Sequence, residues 1–160
     1  MNPLAAVRLL VTDVDGVLTD NTFIYGPDGQ KYRRWNMADG QGIIRLREIG
    51  IETVFLTQED DADIEMRAVA LHVAYLVGGA AKLSTLQSYL RGRDFYDATG
   101  LAHIAYIGND LNDQPVLQAV GFPFVPADAW VTWSRLGRSG GDGCLREVAE
   151  RILSAKAVLV

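Results

Sequence analysis

One cysteine and two histidines occur in 160 residues, and the 15 Lys and Arg are outnumbered by 20 Asp and Glu. The lone Cys144 can close no internal disulfide, so a reducing cytoplasm is the expected compartment and a structural thiol the expected role. With a net charge of −5 the chain offers no basic face to nucleic acid or to an anionic membrane, although a small phosphorylated molecule needs only a local positive site. No apolar run approaches the roughly 18 residues of a membrane span, and "MNPLAAVRLL" lacks the basic region, apolar core and cleavage site of a secretion signal. Repeats, low-complexity tracts and Pro/Ser linkers are missing as well, so one domain over 1–160 is expected.

What is present is alternation. Short β-rich runs at 7–13, 51–57, 72–77, 103–110 and, more weakly, 121–126 are separated by helical patterns at 39–50, 61–72, 82–94, 113–121 and 145–159. Strands alternating with helices of this length predict an α/β fold, a doubly wound parallel sheet covered on both faces. The exception is 21–36, where "GPDG" between two extended segments predicts a β-hairpin inserted after the first strand. His72 and His103 open apolar runs and are expected to be structural.

In such a sheet ligands bind at the carboxyl ends of the strands. That rim gathers Asp13 and Asp15 from "LLVTDVDGVLTD", Thr57, and Asn109, Asp110 and Asp113 from "IGNDLND", while Lys82 opens the helix after the third run. Three or four acids around one point repel one another and call for a cation. Oxygen donors without His or Cys favour a hard ion such as Mg²⁺. Thr57 can donate to a phosphoryl oxygen and Lys82 adds a positive charge, so the set predicts a phosphoryl site.

The order and spacing of "DVDGVLTD", "LT", the helix-opening Lys and "IGNDLND" resemble the four motifs of haloacid dehalogenase-like phosphatases over residues 9–113. The resemblance implies a Rossmann-like haloacid dehalogenase fold, with Asp13 as the nucleophile forming an aspartyl-phosphate. It makes Asp15 the general acid and base, and gives Mg²⁺ ligands in Asp13, the main-chain oxygen of Asp15 and either Asn109 or Asp110. Asp113 would then orient a ligand or Lys82. The hairpin without a separate cap domain, "N..DG.GI" from Asn36, "VPADA" (125–129) and "GG.G...RE" (140–147) are similar to phosphatases of 3-deoxy-2-ulosonate phosphates, octulosonate 8-phosphate and nonulosonate 9-phosphate among them. Gln58 follows Thr57, and Glu59 with Arg67 eight residues later resembles the nonulosonate branch, which implies substrate contacts for Gln58, Glu59 and Arg67. That family also implies a homotetramer joined through the 21–36 hairpin, whose Phe23, Tyr25, Tyr32 and Trp35 a small domain cannot cover.

Two other classes compete with a sugar-phosphate phosphatase. A phosphoacceptor receiver domain wants an Asp at the end of its third strand, and "HVAYLV" ends without one. A non-catalytic oligomerisation module, like the domain appended to acylneuraminate cytidylyltransferases, has no need of both Asp13 and Asp15.

Overall fold

The structure, a computed structural model, describes residues 2–157. After a 3₁₀ turn at Pro3–Ala6, strand β1 (Leu9–Thr12) leads into a hairpin of β2 (Ile24–Tyr25) and β3 (Lys31–Tyr32). There follow α1 (Met37–Glu48), β4 (Glu52–Thr57), α2 (Ala62–Leu71), β5 (Ala74–Val77), α3 (Lys82–Leu90), α4 (Asp94–Thr99) and β6 (Ile104–Ile107). A 3₁₀ turn at Leu111–Asp113, then α5 (Gln114–Ala119), β7 (Phe122–Val125), β8 (Ser134–Arg135) and α6 (Cys144–Ala157) complete the described chain.

Six strands pair in the order β5-β4-β1-β6-β7-β8, every pairing parallel. The chain winds outward from β1 through β4 to β5, then returns to the other side of β1 and continues to β8. The winding therefore reverses between β1 and β6, which pair from Leu9↔Ile104 to Thr12↔Ile107. A crevice opens at such a reversal, beyond the carboxyl ends of the two strands.

Alternate residues of a strand face opposite sides of the sheet. Leu10 and Phe55 pack with Ile43 and Leu46 of α1 and Val148 and Ile152 of α6. Leu9, Val11, Val54 and Leu56 pack on the other face with Leu86 and Leu90 of α3 and Val116 of α5. Burial on both faces is why the runs are continuously apolar, and each fully buried Leu, Ile or Phe contributes about 1.5–3 kcal/mol. Cys144 lies in this core with its thiol donating to the Val17 carbonyl at 3.2 Å, and burial pushes its pKa above the usual thiol range.

Some boundaries differ from the sequence expectation. The helix expected over 82–94 stops at Leu90, because Gly92 turns the chain at φ +81°, and a second short helix follows. His72 begins no strand; it adopts a left-handed conformation (φ 54°) and caps the end of α2. The hairpin pairs only Ile24↔Tyr32 and Tyr25↔Lys31, closed by Gly26 N–H donating to Gln30 O at 2.8 Å. Trp35, expected on the exposed ribbon, is half-buried against the core, whereas Ile24, Tyr25 and Tyr32 are exposed. The two-residue β8 carried no apolar run to announce it. The last residues of the helix expected over 145–159 lie outside the described residues.

Candidate active site

Strand β1 ends at Thr12, and Asp13 stays tied to the sheet through its N–H, which donates to Ile107 O at 2.9 Å. Its own side chain accepts from Val14 N–H at 2.8 Å, so the carboxylate is held at the sheet rim as the chain bends away. The bend needs glycine. Gly16 has φ +84°, and a Cβ there would meet the Asn109 side chain at 1.9 Å. Gly140 closes the other side, where a Cβ would lie 2.1 Å from Gly16 O. This is how the "GG.G" stretch braces the "DVDG" loop.

Below Asp13 sits a buried ion cluster. Lys82 at the start of α3 lies 2.8 Å from Asp13 Oδ1 and 2.7 Å from Asp113 Oδ1. Asp113 is fully buried and also accepts from the Tyr106 hydroxyl at 2.6 Å and from the Asn109 and Asp110 amides at 2.8 and 3.2 Å. Burial and the Asp113 charge push the Asp13 pKa up to about 7, opposed by Lys82. Burial alone lowers the Lys82 pKa, and the two carboxylates more than reverse it. One positive charge thus holds two carboxylates in place, and the Asp113 fan fixes the loop that carries Asn109.

The four acids do not converge as expected. Among the described residues no group of three His, Cys, Asp or Glu is placed to hold a metal ion. Asp113 is committed to Lys82, Asp110 Oδ1 caps the 3₁₀ turn by accepting from Leu111 N–H at 2.7 Å, and the Asp15 side chain turns to Arg33. What converges on Asp13 is the Asn109 amide, 3.1 Å from Asp13 Oδ2 and 3.2 Å from the main-chain oxygen of Asp15. With its nitrogen inward the amide donates to both; with its oxygen inward, three oxygens face one point. Such an all-oxygen set of a carboxylate, an amide and a carbonyl has the donor chemistry that suits a hard divalent cation.

A cleft of about 430 Å³ opens over Asp13. Thr57, Gln58 and Glu59 wall one side and Asn109, Asp110 and Asn112 the other. Thr57 is buried at the end of β4, its hydroxyl accepting from Glu59 N–H at 3.3 Å, and Asn112 reaches across to Gln58 Oε1 at 3.0 Å. Asn21 and Phe23, from the chain leading into the hairpin, complete the lining.

Arg67 does not reach the cleft of its own chain. Its guanidinium lies 5.9 Å from the Trp35 ring and against Gly40 of α1, outside the lining of the cleft, and among the described residues it forms no pair with Glu59. A spacing of eight residues cannot bring them together because Glu59 precedes the helix and Arg67 faces α1. Arg67→Ala is accordingly expected to lower thermal stability through lost stacking, by about 1 kcal/mol, with KM for any phosphate ester within twofold of wild type. A KM that rises selectively for a carboxylate-bearing substrate would contradict this placement.

Tyr106 went unread in the sequence, and so did the pairing of Arg33 with Asp15. Tyr106 sits in a strand buried on both faces, and its hydroxyl had to find a partner there. Arg33, on the chain leaving the hairpin, binds Asp15 of its own chain.

No family model matches the chain. The 3-deoxy-D-manno-octulosonate 8-phosphate phosphatase of Escherichia coli (strain K12) is 32% identical over 96% of this chain and 82% of its own length. The crystal structure of the phosphatase of that name from Yersinia pestis superimposes with a TM-score of 0.88 at 32% identity, covering 98% of this chain and 86% of that one. The Moraxella catarrhalis enzyme, solved with a magnesium ion, a phosphate ion and a KDO molecule, gives 0.87 at 29% identity, covering 97% and 90%. At this level of identity, coverage and superposition, the chain belongs to the 3-deoxy-D-manno-octulosonate 8-phosphate phosphatases, a family of haloacid dehalogenase-like hydrolases.

Proposed function

We propose that the chain is a cytoplasmic Mg²⁺-dependent phosphomonoesterase acting on a 3-deoxy-2-ulosonate phosphate, octulosonate 8-phosphate or a nonulosonate 9-phosphate, through an aspartyl-phosphate. The observation that carries the reading is the meeting of Asp13, the Asn109 amide and the Asp15 carbonyl at the sheet reversal, with Lys82 behind and Thr57 beside them. The magnesium ion and octulosonate in the Moraxella catarrhalis structure support it.

Asp13 attacks phosphorus as its electron pair forms the P–O bond, and the bond to the sugar oxygen breaks. Asp15, as the acid, gives that oxygen its proton, and then as the carboxylate takes one from the water that attacks the acyl phosphate and regenerates Asp13. Thr57 donates to a phosphoryl oxygen, and Lys82 balances the charge gathered at Asp13. Mg²⁺, when bound by Asp13, Asn109 and the Asp15 carbonyl, supplies Lewis-acid stabilisation of the phosphoryl charge. Gln58 and Glu59 face the sugar. A homotetramer through the hairpin is supported by the exposed Ile24, Tyr25 and Tyr32.

Phosphate release from a sugar-phosphate panel tests the substrate. An ulosonate phosphate should exceed p-nitrophenyl phosphate in kcat/KM and lose turnover in chelator; equal rates on all esters would sink the assignment. For the metal, calorimetry should find Mg²⁺ affinity reduced at least about tenfold in Asn109→Ala and little changed in Asp110→Ala. The reverse order would move the metal to Asp110.

A further inference from the structure

Arg33 has a fully buried side chain, and all three guanidinium nitrogens are engaged. Nε donates to Asp15 Oδ1 at 2.8 Å and Nη2 to Asp15 Oδ2 at 2.9 Å, a two-pronged grip on both carboxylate oxygens. Nη2 also reaches Asp61 Oδ2 at 2.5 Å, and Nη1 reaches Asp63 Oδ1 at 2.7 Å, at the start of α2. Lys31 shares Asp61 at 2.6 Å, and the Phe23 ring, which lines the cleft, stacks 4.9 Å from the guanidinium carbon. Against this grip Asp15 has one other side-chain partner among the described residues, the Thr19 hydroxyl, which donates to Oδ1 at 3.0 Å.

Burying a guanidinium costs several kcal/mol unless its donors are met. Anchoring the hairpin needs only the contacts to Asp61 and Asp63, made by one N–H of Nη2 and by Nη1. The inner edge, where Nε and Nη2 form a planar fork, is spent on Asp15 instead. A planar fork fixes the plane of the carboxylate it binds, which a lysine at the same place does not.

We propose that Arg33 is a positioning residue for the reaction, setting the plane of the Asp15 carboxyl so that it can serve the sugar oxygen. The proposal rests on the reading of Asp15 as general acid. Asp61 and Asp63 fix the guanidinium and the guanidinium fixes Asp15, so the hairpin that brings Phe23 over the cleft also aligns the acid.

Leaving groups separate this role from anchoring. The sugar alkoxide of octulosonate 8-phosphate needs a proton, whereas p-nitrophenolate leaves without one. The quantity to compare is kcat/KM, which ends at departure of the leaving group and excludes hydrolysis of the phosphoenzyme. Arg33→Ala is expected to lower kcat/KM for octulosonate 8-phosphate at least about tenfold more than for p-nitrophenyl phosphate. Arg33→Lys keeps the charge without the fork and should show the same selectivity, and Asp15→Asn should show it more strongly. Asp63→Asn, which loosens the anchor and leaves the fork, should lower both substrates by one factor.

Equal losses on the two substrates in Arg33→Ala and Arg33→Lys, with Asp15→Asn selective, would overturn the proposal and leave Arg33 an anchor. An unselective Asp15→Asn would overturn it together with the general-acid reading. Should Arg33→Ala melt below assay temperature, Arg33→Lys decides between the same two results.

Discussion

Asp13→Asn is expected to retain less than about one hundredth of wild-type kcat, a loss of more than about 2.7 kcal/mol of transition-state stabilisation, while folding normally. The amide keeps the size and the contact to Val14 N–H but has no carboxylate to attack phosphorus. Folding should not suffer, for a reason visible in the site. Burial and Asp113 raise the Asp13 pKa to about 7, so the folded state holds the proton more tightly than the unfolded chain does. A raised carboxyl pKa contributes stability that is present below its unfolded value and is lost as pH rises through the folded value. At pH 8 in metal-free buffer ionised Asp13 therefore burdens the fold, and the neutral Asn variant should melt no lower than wild type. A variant keeping more than a few hundredths of kcat would contradict nucleophilic catalysis; one that melts lower at pH 8 would contradict the electrostatic account.

Lys82→Met should fail on both counts. Lys82 is the only cation among the described residues that pairs with Asp13 and Asp113, and its side chain is 1% exposed. Removing it leaves two buried carboxylates facing each other across an apolar thioether, at a cost of about 3–5 kcal/mol, or roughly 10 °C in Tm for a chain of this size. Turnover should fall at least about a hundredfold. The double variant Lys82→Met/Asp113→Asn separates the effects, since it removes one of the repelling charges: stability should largely return and activity should not. A single variant melting within about 2 °C of wild type would show that the cluster carries little of the stability.

The parts of this site legible in the sequence are those that the strand ends dictate. Asp13, Thr57 and Asn109 each follow directly on, or close, an apolar run that could only be a buried strand, so their common rim followed from the topology. Lys82 was legible as the first residue of a helix. Where a side chain turns after leaving the rim depends on partners distant in sequence. Asp15 lies two residues from Asp13 and on the same strand end, yet Arg33, 18 residues on, holds its side chain in an ion pair. Asp110 is spent on a local cap, which is why the acid count around Asp13 was overestimated. Arg67 illustrates the converse: a charged residue on an amphipathic helix has two faces available, and the Trp35 ring took it. The hairpin followed from "GPDG", while the ion pairs of Lys31 and Arg33 with Asp61 and Asp63, distant in sequence, tie its short ribbon to the start of α2.

The most direct measurement is rapid acid quench of the enzyme mixed with Mg²⁺ and octulosonate 8-phosphate, followed by peptide mass analysis of residues 9–31. The peptide should gain the mass of one phosphoryl group within the first turnover, borohydride should convert Asp13 alone to homoserine, and Asp13→Asn should acquire nothing. Phosphate released at the full rate with no labelled peptide, or label on Asp15 in place of Asp13, would contradict a reaction that runs through the Asp13 carboxylate.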